Sequence, residues 1–277
     1  MINSKKINFI IGSGRCGTRS FYRMLAGEPN IDIHHEYRTV DVQQIAVLYY
    51  TKMIDFEECC ERLKEIYNSA IHYSNSPVWI DSSNKCSWLI DVLHEIYPEA
   101  NFLALIRDGR KVVSSFYYKL REEIYDDESC TILNQWLMNS SKHMPPLEKP
   151  YWWNIPVQCP DKYNKFSNYD RFERVCFHWN EINNYIESSF KNIPNNQKMY
   201  IRFEDLVADN ATIDSVCEFL SIKKNKMFYD FLQKPRNVFY PLNYQLGKSK
   251  IKKFDKICKD TMKKWGYDNS EEYVVKY

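Results

Sequence analysis

The sequence predicts an α/β fold, a parallel sheet covered by helices on both faces. Three observations predict it. Short apolar runs alternate with segments of helical period. The connections between them are mostly short. The first run, INFIIGSGRCGTRSF (7–21), reads as a strand, a glycine turn and a helix start, which is the layout of a phosphate-binding loop. Together they give a P-loop-like three-layer sandwich, one domain over 1–277, with a helical or irregular lid inserted at about 125–165.

The elements follow in order. Strand 7–11 leads into a helix over 18–25. Residues 42–70 have apolar positions near 3.6 spacing and a charged face, so one helix is expected there. VWID (78–81) is a short buried strand. A helix over 85–97 ends at Pro98. NFLALIR (101–107) is the clearest buried strand, and the helix of DGRKVVSSFYYKLREE follows it. The segment 125–165, with MPPLEKPYWWNIP, is read as irregular and long for a connecting loop. Its Trp152 and Trp153 would be costly to expose, which favours a lid over an idle insertion. A helix over 169–190, a strand over 198–203 and a mostly helical remainder complete the chain.

Composition narrows the function. The net charge is +2, so an anion site must be local and no nucleic-acid footprint is expected. The nine cysteines are odd in number and contain no C-x-x-C pair, so neither a zinc centre nor a disulfide framework is expected. MINSKKINFI lacks the apolar stretch of a signal peptide, and no run of 18 apolar residues exists. The expectation is a cytoplasmic protein with no membrane span and no metal.

The glycine loop matches G-x-x-x-x-G at 12–17, but Thr18 and Arg19 stand where the nucleotide-triphosphatase loop has Lys and Ser/Thr. Its cation, Arg15, lies inside the turn. A glycine turn before a helix still offers backbone N–H groups and the positive end of the helix dipole to an anion. A second cluster follows strand 101–107. Arg107 closes the strand, Ser115 lies two helical turns on, and Lys119 one turn further. A guanidinium, a hydroxyl and an ammonium on one edge would make a fixed anion pocket. Arg110, Lys111 and Arg121 read as surface charge on the same helix.

GSGRCGTRSFYRML, then LALIRDGRKVVSSFY, then YIRFEDL, resemble the sulfotransferases that use 3′-phosphoadenosine 5′-phosphosulfate (PAPS). The motif spacing is most similar to the tyrosylprotein branch, from about residue 12 to 119, and weaker from 198 to 250. The resemblance implies that Arg15, Cys16, Gly17, Thr18, Arg19 and Ser20 bind the 5′-phosphosulfate through backbone and side chains. Arg107, Ser115 and Lys119 would bind the 3′-phosphate. Phe203 stands where the family often has a tyrosine beside the adenine. Asn243 and one of Lys248 or Lys250 fall near a late segment that closes over the cofactor. A sulfuryl donor has no γ-phosphate and needs no Mg²⁺, which accounts for the missing lysine.

Glu36 in HHEYR matches the general base of the tyrosylprotein branch, with His34 and His35 as rivals for the role. Arg38 would orient that base or bind acceptor. Lys85 in SSNKCSW matches a family lysine that, with Arg15, stabilises charge on the bridging oxygen. Glu204 and Asp205 read as helix braces and Trp179 as core. The acceptor side would comprise Glu36, Arg38, Trp152 and Trp153, with Asp126, Asp127 and Glu128 suited to a cation. The expected acceptor is a small molecule, a secondary metabolite or an alkaloid toxin, receiving the group on a hydroxyl or a nitrogen. Two other readings compete: a P-loop kinase or phosphotransferase using ATP–Mg²⁺, and a non-catalytic nucleotide-binding protein.

Overall fold

The computed structural model describes residues 5–139, 165–232, 244–268 and 274–275. Trp152, Trp153 and Asn243 lie outside these. The chain forms two compact units: Met1–Val42, Phe56–Arg107 and Tyr185–Asn237 make the first, and Gln43–Asp55, Asp108–Asn184 and Val238–Tyr277 the second.

The first unit holds a five-stranded parallel sheet in the order β2-β3-β1-β4-β5. The strands are β1 (Lys6–Gly12), β2 (Ile31–His35), β3 (Val78–Ser82), β4 (Asn101–Ile106) and β5 (Lys198–Arg202). Alternation along each strand sends side chains to two separate cores. On one face Ile10, Ile80, Leu103 and Leu105 meet α1 (Thr18–Leu25), α8 (Phe203–Ala208), α9 (Asn210–Phe219) and α10 (Lys226–Leu232) through Phe21, Leu206, Val216 and Phe228. On the other, Phe9, Trp79 and Phe102 pack with Tyr67 of α3 (Phe56–Tyr73) and His94 of α4 (Ile90–Ile96). This is the expected layering of helix, sheet and helix.

Several readings of the elements need correction. β2 was not expected from the sequence. The helix read over 42–70 is two, α2 (Thr39–Tyr50) and α3. Lys52 ends α2 in the left-handed region at φ 62°, and Met53 N–H donates to the Leu48 carbonyl at 2.8 Å, a Schellman closure without its usual glycine. The helix read over 85–97 begins as a 3-10 turn, Lys85–Trp88, and breaks at Leu89 before α4.

The second unit contains α5 (Gly109–Leu120), α6 (Asp127–Asn139), most of α7 (Arg171–Phe190), α11 (Lys248–Lys264) and a two-stranded antiparallel ladder of β6 (Tyr244–Gln245) and β7 (Val274–Val275). Residues 127–139, read as irregular, are therefore helical, with Cys130, Leu133 and Trp136 buried at helical spacing. Trp179 is fully buried as core. Arg110, read as surface charge, is also buried: its Nε donates to Asp108 Oδ1 at 2.8 Å, and Nη2 reaches the Tyr267 carbonyl. The carboxylate two residues away and that carbonyl let the guanidinium leave water.

Candidate active site

All five strands of the first unit are parallel, so their carboxyl ends share one edge of the sheet. The loop after β1 carries Arg15 to Ser20. The turn after β2 carries Glu36, the turn after β3 carries Lys85, and Arg107 follows β4 directly. Phe203 follows β5. Ligands of open α/β sheets bind at this edge, where the strand order reverses around the first strand.

Backbone geometry sets the loop. Gly14, Arg15 and Gly17 have φ of 77°, 55° and 118°. Gly17 caps α1 without a side-chain hydrogen bond, which leaves the first turn of the helix able to serve an anion. A Cβ on Gly17 would lie 2.4 Å from the Phe203 ring, and one on Gly12 would lie 2.5 Å from Cys16 Sγ and 2.6 Å from the Leu105 carbonyl oxygen. Arg107 joins the same cluster. Its Nη1 donates to the Arg15 carbonyl at 3.0 Å, and its guanidinium carbon stands 5.2 Å from the Phe203 ring centroid. Phe203 is thus a wedge between the loop and Arg107. Ser87 anchors the loop from beneath, its hydroxyl accepting from Gly12 N–H and donating to the Gly12 carbonyl, both at 2.9 Å.

Cys16 turns away from the ligand edge. Its side chain is fully buried in the core, and burial pushes its thiol up. That corrects the expectation of a side-chain ligand and leaves Cys16 only its backbone. Thr18 is buried, Arg19 exposed and Ser20 half-buried.

Glu36 and Arg38 are also left-handed, at φ 57° and 43°. With Arg15, three non-glycine residues at this edge hold a backbone conformation costing about 1–3 kcal/mol each, a pattern associated with functional sites. Thr39 donates to Glu36 Oε2 at 3.4 Å. Arg38 is exposed and pairs with Asp41 at 2.9 Å. Both histidine rivals have structural partners. His34 contacts Asp32 at 3.1 Å and packs on Trp79, while His35 Nδ1 donates to the Ser82 carbonyl at 2.8 Å and stacks on Tyr22.

Lys85 is not a solvated first-turn lysine. Only 6% of it is exposed. Burial pushes its ammonium down, and the charge of Glu36 opposes that shift, so Glu36 and Lys85 are electrostatic neighbours. Beneath them Asp81 is fully buried. Burial pushes its carboxyl up to about 7, against hydrogen bonds from the Tyr37 amide, Tyr67 and Cys86 that pull it down.

Ser115 and Lys119 belong to the second unit, one turn apart on α5, with Ser115 buried and Lys119 half-buried. Lys248, the first residue of α11, is exposed. Lys250 has its ammonium 5.4 Å from the ring centroid of Tyr117, itself on α5. Asp126 accepts from the Ser129 amide at 2.6 Å and Asp127 pairs with Arg174 at 2.8 Å, so both brace α6. Asp205 likewise braces α8 by pairing with Arg202 at 2.7 Å.

The Asp81 cluster, the Ser87 anchor and the Phe203 wedge were not read from the sequence. An aspartate closing a strand four residues before Lys85 was the available signal for the first.

Residues 8–144 match a family model described as the sulfotransferase family. No curated protein sequence matches the chain. Among solved structures, a sulfotransferase from Mycobacterium avium superposes with TM-score 0.53 at 9% identity, covering 95% of this chain and 77% of that one. The sulfotransferase domain from the curacin biosynthetic pathway gives TM-score 0.49 at 12% identity, covering 93% and 97%. A sulfotransferase from Alicyclobacillus acidocaldarius gives 0.46 at 14%, covering 79% and 82%. No helix among the described residues is long and apolar enough to cross a membrane.

Proposed function

We propose, from the match of residues 8–144 to the sulfotransferase family, that the chain transfers a sulfuryl group from PAPS to a hydroxyl or nitrogen of a small-molecule acceptor, with Glu36 as base. The observation that carries the reading is the gathering of Arg15, Glu36, Lys85 and Arg107 behind the carboxyl ends of one parallel sheet.

The residues present fit the donor. The first turn of α1 has no side-chain cap, and Arg107 is bonded into the loop that leads to it. Bound there, the donor supplies an activated sulfuryl group on a phosphate leaving group. The N–H groups at the start of α1 and the Arg15 guanidinium hold the phosphosulfate. Lys85, withdrawn from water, places positive charge where the leaving oxygen gains electrons, a role worth several kcal/mol in a dry site. Glu36, beside that cation, takes the acceptor's proton. General-base catalysis of this kind contributes about 10²–10⁴-fold.

Calorimetric titration with 3′-phosphoadenosine 5′-phosphate (PAP) in EDTA tests the reading, with ATP–Mg²⁺ as control. Metal-free binding that is lost in Arg107→Ala is expected. Preference for ATP–Mg²⁺, or no binding of PAP, would overturn it in favour of a phosphotransferase.

A further inference from the structure

A second carboxylate lies behind Glu36 that the reaction above does not use. Asp81, near the end of β3, is fully buried. Its Oδ1 accepts from the Tyr37 amide at 3.2 Å and its Oδ2 from the Tyr67 hydroxyl at 2.8 Å, with Cys86 Sγ 3.7 Å from Oδ2. Three donors from three places converge on it: the turn after β2, helix α3 and the 3-10 turn that begins with Lys85.

The backbone explains why. β2 pairs with β3 so that His34 stands opposite Asp81 and His35 opposite Ser82. The ladder's last bond runs from the Glu36 amide to the Ser82 carbonyl at 3.2 Å. Glu36 then turns left-handed, and the next amide, that of Tyr37, comes back to a side chain instead of a strand. The acceptor for the residue after the base is therefore a carboxylate supplied by the neighbouring strand.

We propose that Asp81 is the positioning residue of the base: gripped from the core side by Tyr67 and Cys86, its carboxylate pins the left-handed turn that carries Glu36 by accepting the Tyr37 amide. The proposal rests on the reading of Glu36 as base. A carboxylate buried against Tyr67 and Cys86 is a costly way to fill a sheet face, since an apolar side chain would need none of these partners. Its geometry is spent on the turn. The same strand end delivers Lys85 four residues on, so one buried group sets the base relative to the cation. A carboxylate suits the place because it only accepts, and all three neighbours donate.

The test compares Asp81→Asn, Asp81→Ala and Tyr67→Phe in the full chain. Asparagine keeps an oxygen for the Tyr37 amide, and alanine does not. Hydrogen exchange read at the Tyr37 amide, without donor and above the pH of about 7 at which the Asp81 carboxyl ionises, should run about 10–100-fold faster in Asp81→Ala than in the native chain, as expected for losing a bond to a charged acceptor. Asp81→Asn should restore most of that protection. In sulfuryl transfer, Asp81→Ala should lower kcat while KM for PAPS and the affinity for PAP stay within about twofold, the mark of a contact that serves the reaction and not donor binding. Asp81→Asn should recover much of kcat, and Tyr67→Phe should give a smaller loss in the same direction. Should alanine prevent folding, the asparagine and phenylalanine variants carry the comparison. Unchanged exchange at Tyr37, or a kcat of Asp81→Ala equal to the native value, would overturn the proposal while leaving the transferase reading intact. A native chain that neither binds PAP nor transfers sulfuryl would overturn both.

Discussion

Gly17→Ala is a sharp test of the loop's construction. The new Cβ would sit 2.4 Å from two carbons of the Phe203 ring and 3.3 Å from a third. It would also hold φ at 118°, a region L-residues avoid. The backbone part costs about 1–3 kcal/mol. Overpacking adds about 1–3 kcal/mol if the ring must shift. The ring cannot shift without disturbing the Arg107 guanidinium above it, and Arg107 holds the Arg15 carbonyl. Donor affinity should therefore fall along with stability. The assay is a double-mutant cycle with Phe203→Ala, read by thermal unfolding and by PAP titration. Phe203→Ala removes the collision but not the backbone strain. The pair should show coupling of about 1–3 kcal/mol, within the range for residues in contact. The melting temperature of Gly17→Ala should fall by about 2–4 °C per kcal/mol lost. Coupling near zero with a native melting temperature would refute the wedge.

Other outcomes follow from the same structure. Asp81 has its carboxyl raised from the ordinary 3.8 to about 7 by burial, with Glu36, Tyr67 and Cys86 facing it. The folded state thus holds the proton more tightly than the unfolded chain, so the native protein loses stability relative to Asp81→Asn as pH rises from about 4 to about 7. At 1.36 kcal/mol per pH unit the difference is on the order of 4 kcal/mol. Denaturant melts at several pH values measure it, and parallel curves for the two proteins would refute it. Lys85→Met should keep or raise stability, because it removes a buried cation, while cutting kcat by about 10²–10³-fold. Thermal scans and transfer rates on one preparation check both halves. Arg174 donates to the carbonyls of Tyr125, Phe166 and Ser167 as well as to Asp127. Arg174→Met should cost about 3–5 kcal/mol by stranding buried groups. Asp127→Asn, at a side chain 93% exposed, should cost under about 1 kcal/mol. Equal losses in urea melts would contradict that division.

The sequence was readable where one local rule decides the structure. β3 and β4 are covered on both faces, so their side chains form near-continuous apolar runs. β2 is an edge strand whose five residues are all half-buried, and IDIHH owes its strand state to pairing with β3. The break between α2 and α3 was hidden because a lysine, not a glycine, takes the left-handed position. In the site, motif order located the strand ends that carry Arg15, Lys85 and Arg107, and it singled out Glu36 without the strand that delivers it. It could not show that Arg15's dihedral turns Cys16 into the core, or that Arg110 is buried with Asp108. Nor could it show the contact of Tyr67 with Asp81, made between α3 and β3.

The buried cysteines offer an experimental handle. Eight free thiols among the described residues are all buried, with Cys16, Cys59, Cys60, Cys86 and Cys217 in the first unit and Cys130, Cys176 and Cys258 in the second. A thiol reagent added to the native protein can reach them only when the surrounding structure opens. Mass spectrometry of the labelled peptides over time would then give opening rates for each unit separately, without mutation. Two groups of labelling rates would mean that the units open independently, and one common rate would mean a single cooperative transition.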